Sequence, residues 1–205
     1  NYTISHTCPN TSVLANNTYI HSEYISSEVR KTLKLTYFLK QCYLITFNNL
    51  EIKLNVYSTK ILSNNKLKRI VHKILLLHML HPNPIKCDIV LIMTRMKKKI
   101  NMTSKLLTPN NINSGYTTLY PTYSEIVIFR EEELEKVLIH ELIHALLLDF
   151  NHFKLEIPFS NYFQISPDTD ILINEAYVEF WAVVLNSAIN SYMHKNKPNK
   201  SLFIN

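Results

Sequence analysis

The sequence predicts a small α+β domain in which a mixed sheet packs on helices. Three observations predict it. Residues 42–47 and 51–57 alternate apolar and polar around an Asn-rich break at Asn48-Asn49-Leu50, the pattern of a β-hairpin. Residues 62–80 and 171–192 carry long helical patterns that contain neither Gly nor Pro. Between them, residues 87–93 form a continuous apolar run typical of a buried strand. The short strand pattern of residues 125–129 leads directly into a third helical run, residues 137–150. With 205 residues the chain has the size of one domain with a proper core.

Taken in order, residues 1–22 are rich in Asn, Thr and Ser and read as a mobile lead-in. Residues 23–39 read as a helix. The helix of residues 62–80 is amphipathic and is stopped by His81-Pro82-Asn83-Pro84. His72, His78 and His81 read as ordinary histidines on or beside it rather than as a second metal site. Residues 95–99 are a basic run, read as a solvated loop. Residues 106–121 are loop-like and hold the only glycine, Gly115. A lone glycine implies a backbone demand, either a positive φ or a close approach by another segment. Tyr116, Tyr120 and Tyr123 follow, and each is a candidate hydrogen-bond donor to an oxyanion, set against the commoner packing role. Residues 152–170 contain Pro158 and Pro167 and connect two helices without clear periodicity. Asp168, Thr169 or Asp170 stands where a cap for the last helix belongs. Residues 195–205 are a basic, Asn-rich tail.

Chemistry concentrates in residues 137–150. His140-Glu141-Leu142-Ile143-His144 reads H-E-x-x-H, a zinc-peptidase signature. On a helix, residues four apart lie on one face, so His140 and His144 can hold a single metal ion. Glu141 is turned by about 100° from His140. It is poorly placed as a ligand but can take a proton from a water on the metal. The flanks are apolar and helix-prone, with Glu131, Glu132 and Glu133 at the helix start and Glu132–Lys136 as an i,i+4 pair. Two histidines and a glutamate in so apolar a helix need partners, and a metal supplies one for all three. Catalytic zinc takes three protein ligands and leaves a place for water. Glu175 and Glu179, one turn apart in Asn174-Glu175-Ala176-Tyr177-Val178-Glu179, share a helix face. One can bind the metal while the other accepts a hydrogen bond from a ligand histidine. The competing reading, a solvated acidic edge, suits the apolar neighbours poorly. His152 competes for the third ligand place, provided that the helix ends near Asp149 and the chain folds back.

Together the two motifs resemble the gluzincin class of zinc metallopeptidases, in which a glutamate on a following helix, often within N-E-x-x-x-[DE], completes H-E-x-x-H. The resemblance implies Zn2+ held by His140, His144 and Glu175, with Glu141 as general base and Glu179 orienting His140. It implies a single zincin-like catalytic domain over residues 23–194. It also implies an edge strand at residues 125–129 that pairs with an extended peptide or protein substrate. Residues 140–145, H-E-L-I-H-A, are also similar to the helix of clostridial neurotoxin light chains. Residues 126–149 with 174–181 resemble uncharacterised metallopeptidase-like proteins of large DNA viruses. The chain departs from related patterns elsewhere. Leu147 and Phe150 stand where a metzincin has Gly and a third His, and no G-x-M-E-N motif occurs. No residue matches the family's downstream transition-state histidine, since His194 lies about 22 Å past Glu179 at helical rise.

The formal charge of +6 and the basic run raise a nucleic-acid reading. No RNA-binding or helix-turn-helix signature accompanies them, so nucleic acid is not an expected partner. An acidic substrate suits the charge as well. Cys8, Cys42 and Cys87 are odd in number and widely spaced, which excludes a disulfide scaffold and a Cys-type zinc site and favours a reducing, intracellular compartment. The glycosylation sequons, at Asn1, Asn10, Asn16, Asn101 and Asn199, read as chance in an Asn-rich chain. Scarce Gly with abundant Asn, Lys, Ile and Tyr reads as the codon bias of an AT-rich genome, viral or microbial. No membrane span is expected, because the nearest approach, residues 171–189, carries Asn174, Glu175 and Glu179. Two other readings compete: a zincin-fold regulator or binding module without activity, and a basic nucleic-acid-associated protein whose H-E-x-x-H is accidental.

Overall fold

The computed structural model describes residues 2–15, 17–81, 85–98, 112–150, 156–166 and 171–195, with backbone alone at 156–159, 194 and 195. The fold is α+β. Seven strands form one mixed sheet: β1 (Tyr2–His6), β2 (Asn10–Val13), β3 (Tyr37–Phe47), β4 (Leu50–Ser58), β5 (Cys87–Ile92), β6 (Gly115–Leu119) and β7 (Ser124–Ile128). The order is β1-β3-β4-β5-β7-β6, with β2 also on β3. β4, β5 and β7 run parallel; the other pairs are antiparallel. The helices are α1 (Ser27–Leu35), α2 (Asn64–Leu80), α3 (Leu134–Ala145), α4 (Glu156–Phe163) and α5 (Ile173–Lys195).

The hairpin is built on its turn. Asn48 and Asn49 both take left-handed backbone, φ 46° and 65°, as a two-residue type I′ turn demands and asparagine tolerates. Alternation along the strands then sorts two cores. Ile45, Ile52, Leu54, Ile89, Leu91, Ile126 and Ile128 meet α2, α3 and α5 on one face. Tyr57, Val90, Ile92, Val127 and Phe129 meet Leu14, Ile20, Val29 and Leu33 on the other. The second core corrects the lead-in. Residues 2–6 and 10–13 are strands, and Leu14 and Ile20 are wholly buried. Their polar side chains hide a main-chain ladder along β3, which hydropathy does not register.

Other expectations shift at their edges. Ser26 caps α1, its Oγ accepting from the Val29 N–H at 3.2 Å, and residues 37–39 belong to β3 rather than to that helix. Within the loop-like stretch, Gly115–Leu119 is strand β6, and within residues 152–170 Glu156–Phe163 is helix α4. The expected edge strand, β7, is interior between β5 and β6; β6 is the strand at that end of the sheet. Residues 106–111, His152, Asp168, Thr169, Asp170 and the tail from 196 lie outside the described residues. No described helix is long and apolar enough to cross a membrane.

One buried cation ties the helices together. Lys73 of α2 is wholly buried, and its Nζ donates to Glu135 Oε2 of α3 at 2.5 Å and to Asn186 and Asn190 Oδ1 of α5 at 2.6 and 3.0 Å. Arg69 adds a second donor to Glu135 at 2.9 Å. Burial pushes the Glu135 carboxyl up, but Lys73 and Arg69 outweigh it and hold the group below its ordinary range. A buried charge that loses its partner costs about 3–5 kcal/mol. Glu135→Ala should therefore lower unfolding free energy in urea by about 3 kcal/mol, whereas Lys73→Met with Glu135→Leu should recover most of the loss. A single variant as stable as the parent contradicts this role.

Candidate metal centre

α3 follows β7 and packs on β6, β7, α2 and α5. Leu138, Leu142 and Ala145 face the core, while His140 and His144 carry their rings towards α5, centroids 5.1 Å apart. α5 anchors itself through Val178, Ala182 and Ile189. That contact brings Glu175 and Glu179 to the two imidazoles. His140 Nε2 lies 3.3 Å from Glu175 Oε2, and His144 Nε2 lies 3.3 Å from Glu175 Oε1. One ligand atom from each of His140, His144 and Glu175 falls within 4.8 Å of the others. Two ligands at zinc-like bond lengths of ~2.0–2.1 Å in tetrahedral array stand about 3.3 Å apart, so the donor set fits a small divalent cation.

The outer nitrogens are held as well. Glu179 Oε2 is 3.2 Å from His140 Nδ1, and Glu179 Oε1 accepts from Lys136 Nζ at 2.5 Å. Asp149 Oδ2 is 2.7 Å from His144 Nδ1. Each imidazole thus stands between two carboxylate oxygens. A neutral ring has only one N–H, so it satisfies one of them and turns a lone pair on the other. A second ring proton or a cation at the Nε2 side resolves both contacts and offsets the carboxylates gathered there. Lys136 therefore serves Glu179, not Glu132; Glu132 instead accepts from the Lys98 N–H at 3.0 Å.

Glu141 takes a different position. It is buried, and Thr117 Oγ1 donates to its Oε2 at 2.8 Å from β6. Burial pushes its carboxyl up against the lowering influence of His140, Thr117 and His144. Gly115 explains how β6 comes so close. A Cβ there would meet Val127 O at 3.1 Å, Val137 Cγ1 at 3.1 Å and Glu141 Oε1 at 3.2 Å. Its φ is not positive, so of the two demands a lone glycine implies, the close approach is the one met.

α3 ends sooner than the apolar run suggests, through a cap. The Leu148 N–H bonds Ile143 O at 2.9 Å and the Leu147 N–H bonds His144 O at 3.0 Å, with Leu147 left-handed at φ 53°. This is the Schellman pattern with leucine where glycine is usual, at a cost of about 1 kcal/mol or more.

The tyrosines do not join this group. Tyr116 lies on the opposite sheet face, its hydroxyl donating to Tyr19 O at 3.0 Å and its ring stacked on Tyr24. Alternation along β6 sends Gly115 and Thr117 to α3 and Tyr116 away. Tyr120 and Tyr123 stack on each other, centroids 4.5 Å apart, beside the β6–β7 turn. No described contact links either to the triad. His78 is a core histidine, its Nδ1 2.8 Å from Ile74 O. Thr117, Asp149 and Lys136 escaped sequence reading as site residues. Only the period-two spacing of Thr117 from Gly115 hinted at any of them. A separate cavity of about 400 Å³ between α2, α3 and α5 is lined by Lys66, Arg69, Glu131 and Lys136, whose charges are already paired.

Comparison with protein-family models, curated proteins and solved structures finds no match for this chain.

Protons would compete with a metal here. Burial alone would lower the His144 pKa, but Glu175 and Asp149 outweigh it and raise it to about 9. The two histidines hold the Glu175 carboxyl far below its ordinary range. Without metal, the raised histidine stabilises the fold fully below its unfolded value of ~6.5 and loses that contribution as pH rises through about 9. A cation must displace this proton. Affinity for a divalent metal should therefore rise by up to tenfold per pH unit between about 6.5 and 8.5, with proton release seen by calorimetry in buffers of different ionisation enthalpy. A flat affinity over that range contradicts the assignment.

Proposed function

We propose that the chain is a zinc-dependent metallopeptidase of zincin-like fold, similar to the gluzincins. The observation that carries the reading is the convergence of His140 Nε2, His144 Nε2 and the Glu175 carboxylate, with each outer imidazole nitrogen facing a further carboxylate. Zinc bound there supplies a Lewis acid that polarises a carbonyl and acidifies water. Glu141, buried one position past the first ligand, takes the proton of the attacking water and passes it to the leaving amine. Burial suits it to the first half of that exchange, because a raised pKa makes its carboxylate a stronger base. Thr117 fixes one of its oxygens and so limits the carboxylate to one orientation. Glu179 orients His140.

The substrate is an extended peptide or protein segment. Among the described residues β6 pairs with β7 alone and its outer main chain has no strand partner, which suits it to accept another strand. It also carries Thr117, which places such a strand beside Glu141. The role expected of residues 125–129 thus passes to β6. Of the basic run, Lys98 pairs its ammonium with Glu133 at 2.7 Å while Arg95 and Lys97 stand exposed, and no nucleic-acid-binding signature accompanies them.

Glu141→Gln should keep stoichiometric zinc while peptide-library cleavage falls by at least ~10²-fold. Glu175→Ala should lose zinc. Zinc bound by the parent with no cleavage of any peptide favours the regulatory or binding module. Zinc held equally by Glu175→Ala removes Glu175 from the ligand set.

A further inference from the structure

The cap that ends α3 also aims a side chain. Glu179, the carboxylate behind His140, arrives from α5, so its contact depends on two helices docking. The carboxylate behind His144 arrives from the same helix. Left-handed Leu147 turns the chain back, and Asp149, five residues past His144, meets its Nδ1 at 2.7 Å. Both side chains are 18% exposed, so water competes weakly for this bond. Leu147 itself is 58% exposed, and its side chain gains little from the turn.

We infer that Asp149 is the positioning residue for His144: it holds the ring with Nδ1–H towards its own carboxylate and Nε2 turned to the candidate metal place beside Glu175, and the left-handed turn at Leu147 aims it. The inference rests on the metal reading above. An acceptor on Nδ1 fixes the tautomer, fixes the ring plane and raises the basicity of Nε2. Because the contact closes within one helix end, the orientation of His144 does not require α5. The site therefore has a locally formed half, His144 with Asp149, and a half completed by packing, His140 with Glu175 and Glu179.

The test compares the full chain with Asp149→Ala, Asp149→Asn and Leu147→Gly. Zinc affinity is read by competition with a chromophoric chelator, the His144 imidazole by ¹⁵N-resolved NMR, and the metal-free fold by thermal melting. Asp149→Ala should bind zinc about 10–100-fold more weakly and lose the downfield Nδ1–H signal, with the metal-free chain still melting cooperatively at a somewhat lower temperature because Glu175 still pairs with His144. Asp149→Asn, whose carboxamide oxygen still accepts, should recover most of the affinity and the signal. Leu147→Gly, which favours the same turn, should hold zinc as the parent does. Parent-like zinc affinity in Asp149→Ala overturns this inference alone. So does a loss in Asp149→Ala that Asp149→Asn fails to rescue. A parent that takes up no zinc overturns the metal reading and this inference with it.

Discussion

Everything at the site depends on α5 lying against α3. The sheet and the hairpin could form without that contact, but they would leave two histidines on a helix face with nothing opposite. Docking brings one carboxylate between the two inner nitrogens and a second behind one ring. The cost is a concentration of negative charge: Glu141, Glu175, Glu179 and Asp149 gather around two imidazoles and one lysine. Like charges in a partly buried place repel unless protons or a cation intervene. A cation held at this triad would therefore stabilise the docking of α5 on α3.

Two features make the docking specific. Lys73, wholly buried, joins α2, α3 and α5 at one atom, so α5 has a preferred register along α3 and not merely an apolar face to rest on. On the other side of α3, Gly115 lets β6 close onto Glu141, and Thr117 then orients that carboxylate. The helix is held from both sides: the candidate ligands His140 and His144 face α5, and buried Glu141 faces the edge strand.

Much of this was legible in residues alone. Helical spacing put His140 and His144 on one face and Glu175 and Glu179 on another; it left open which glutamate completes the triad, and the resemblance to the gluzincins pointed to Glu175. Asn48-Asn49 named its own turn. What sequence could not show were contacts made across intervals that no period governs. Asp149 needs a left-handed leucine, which no residue preference announces. Thr117 needs the pairing of β6 outside β7, and that pairing also moved the edge of the sheet. The N-terminal strands were missed because main-chain pairing sustains them under polar side chains. Tyr116 takes the commoner packing role for a simple reason: one step along a strand changes the face.

The central claim is that these residues form a metal centre, and elemental analysis tests it most directly. Zinc per chain would be measured in the parent and in His144→Ala, purified without chelator and with zinc supplied. The account predicts about one zinc in the parent and almost none in the variant. Absence of zinc from both would contradict it, leaving His140, His144 and Glu175 as an ion-paired helix contact.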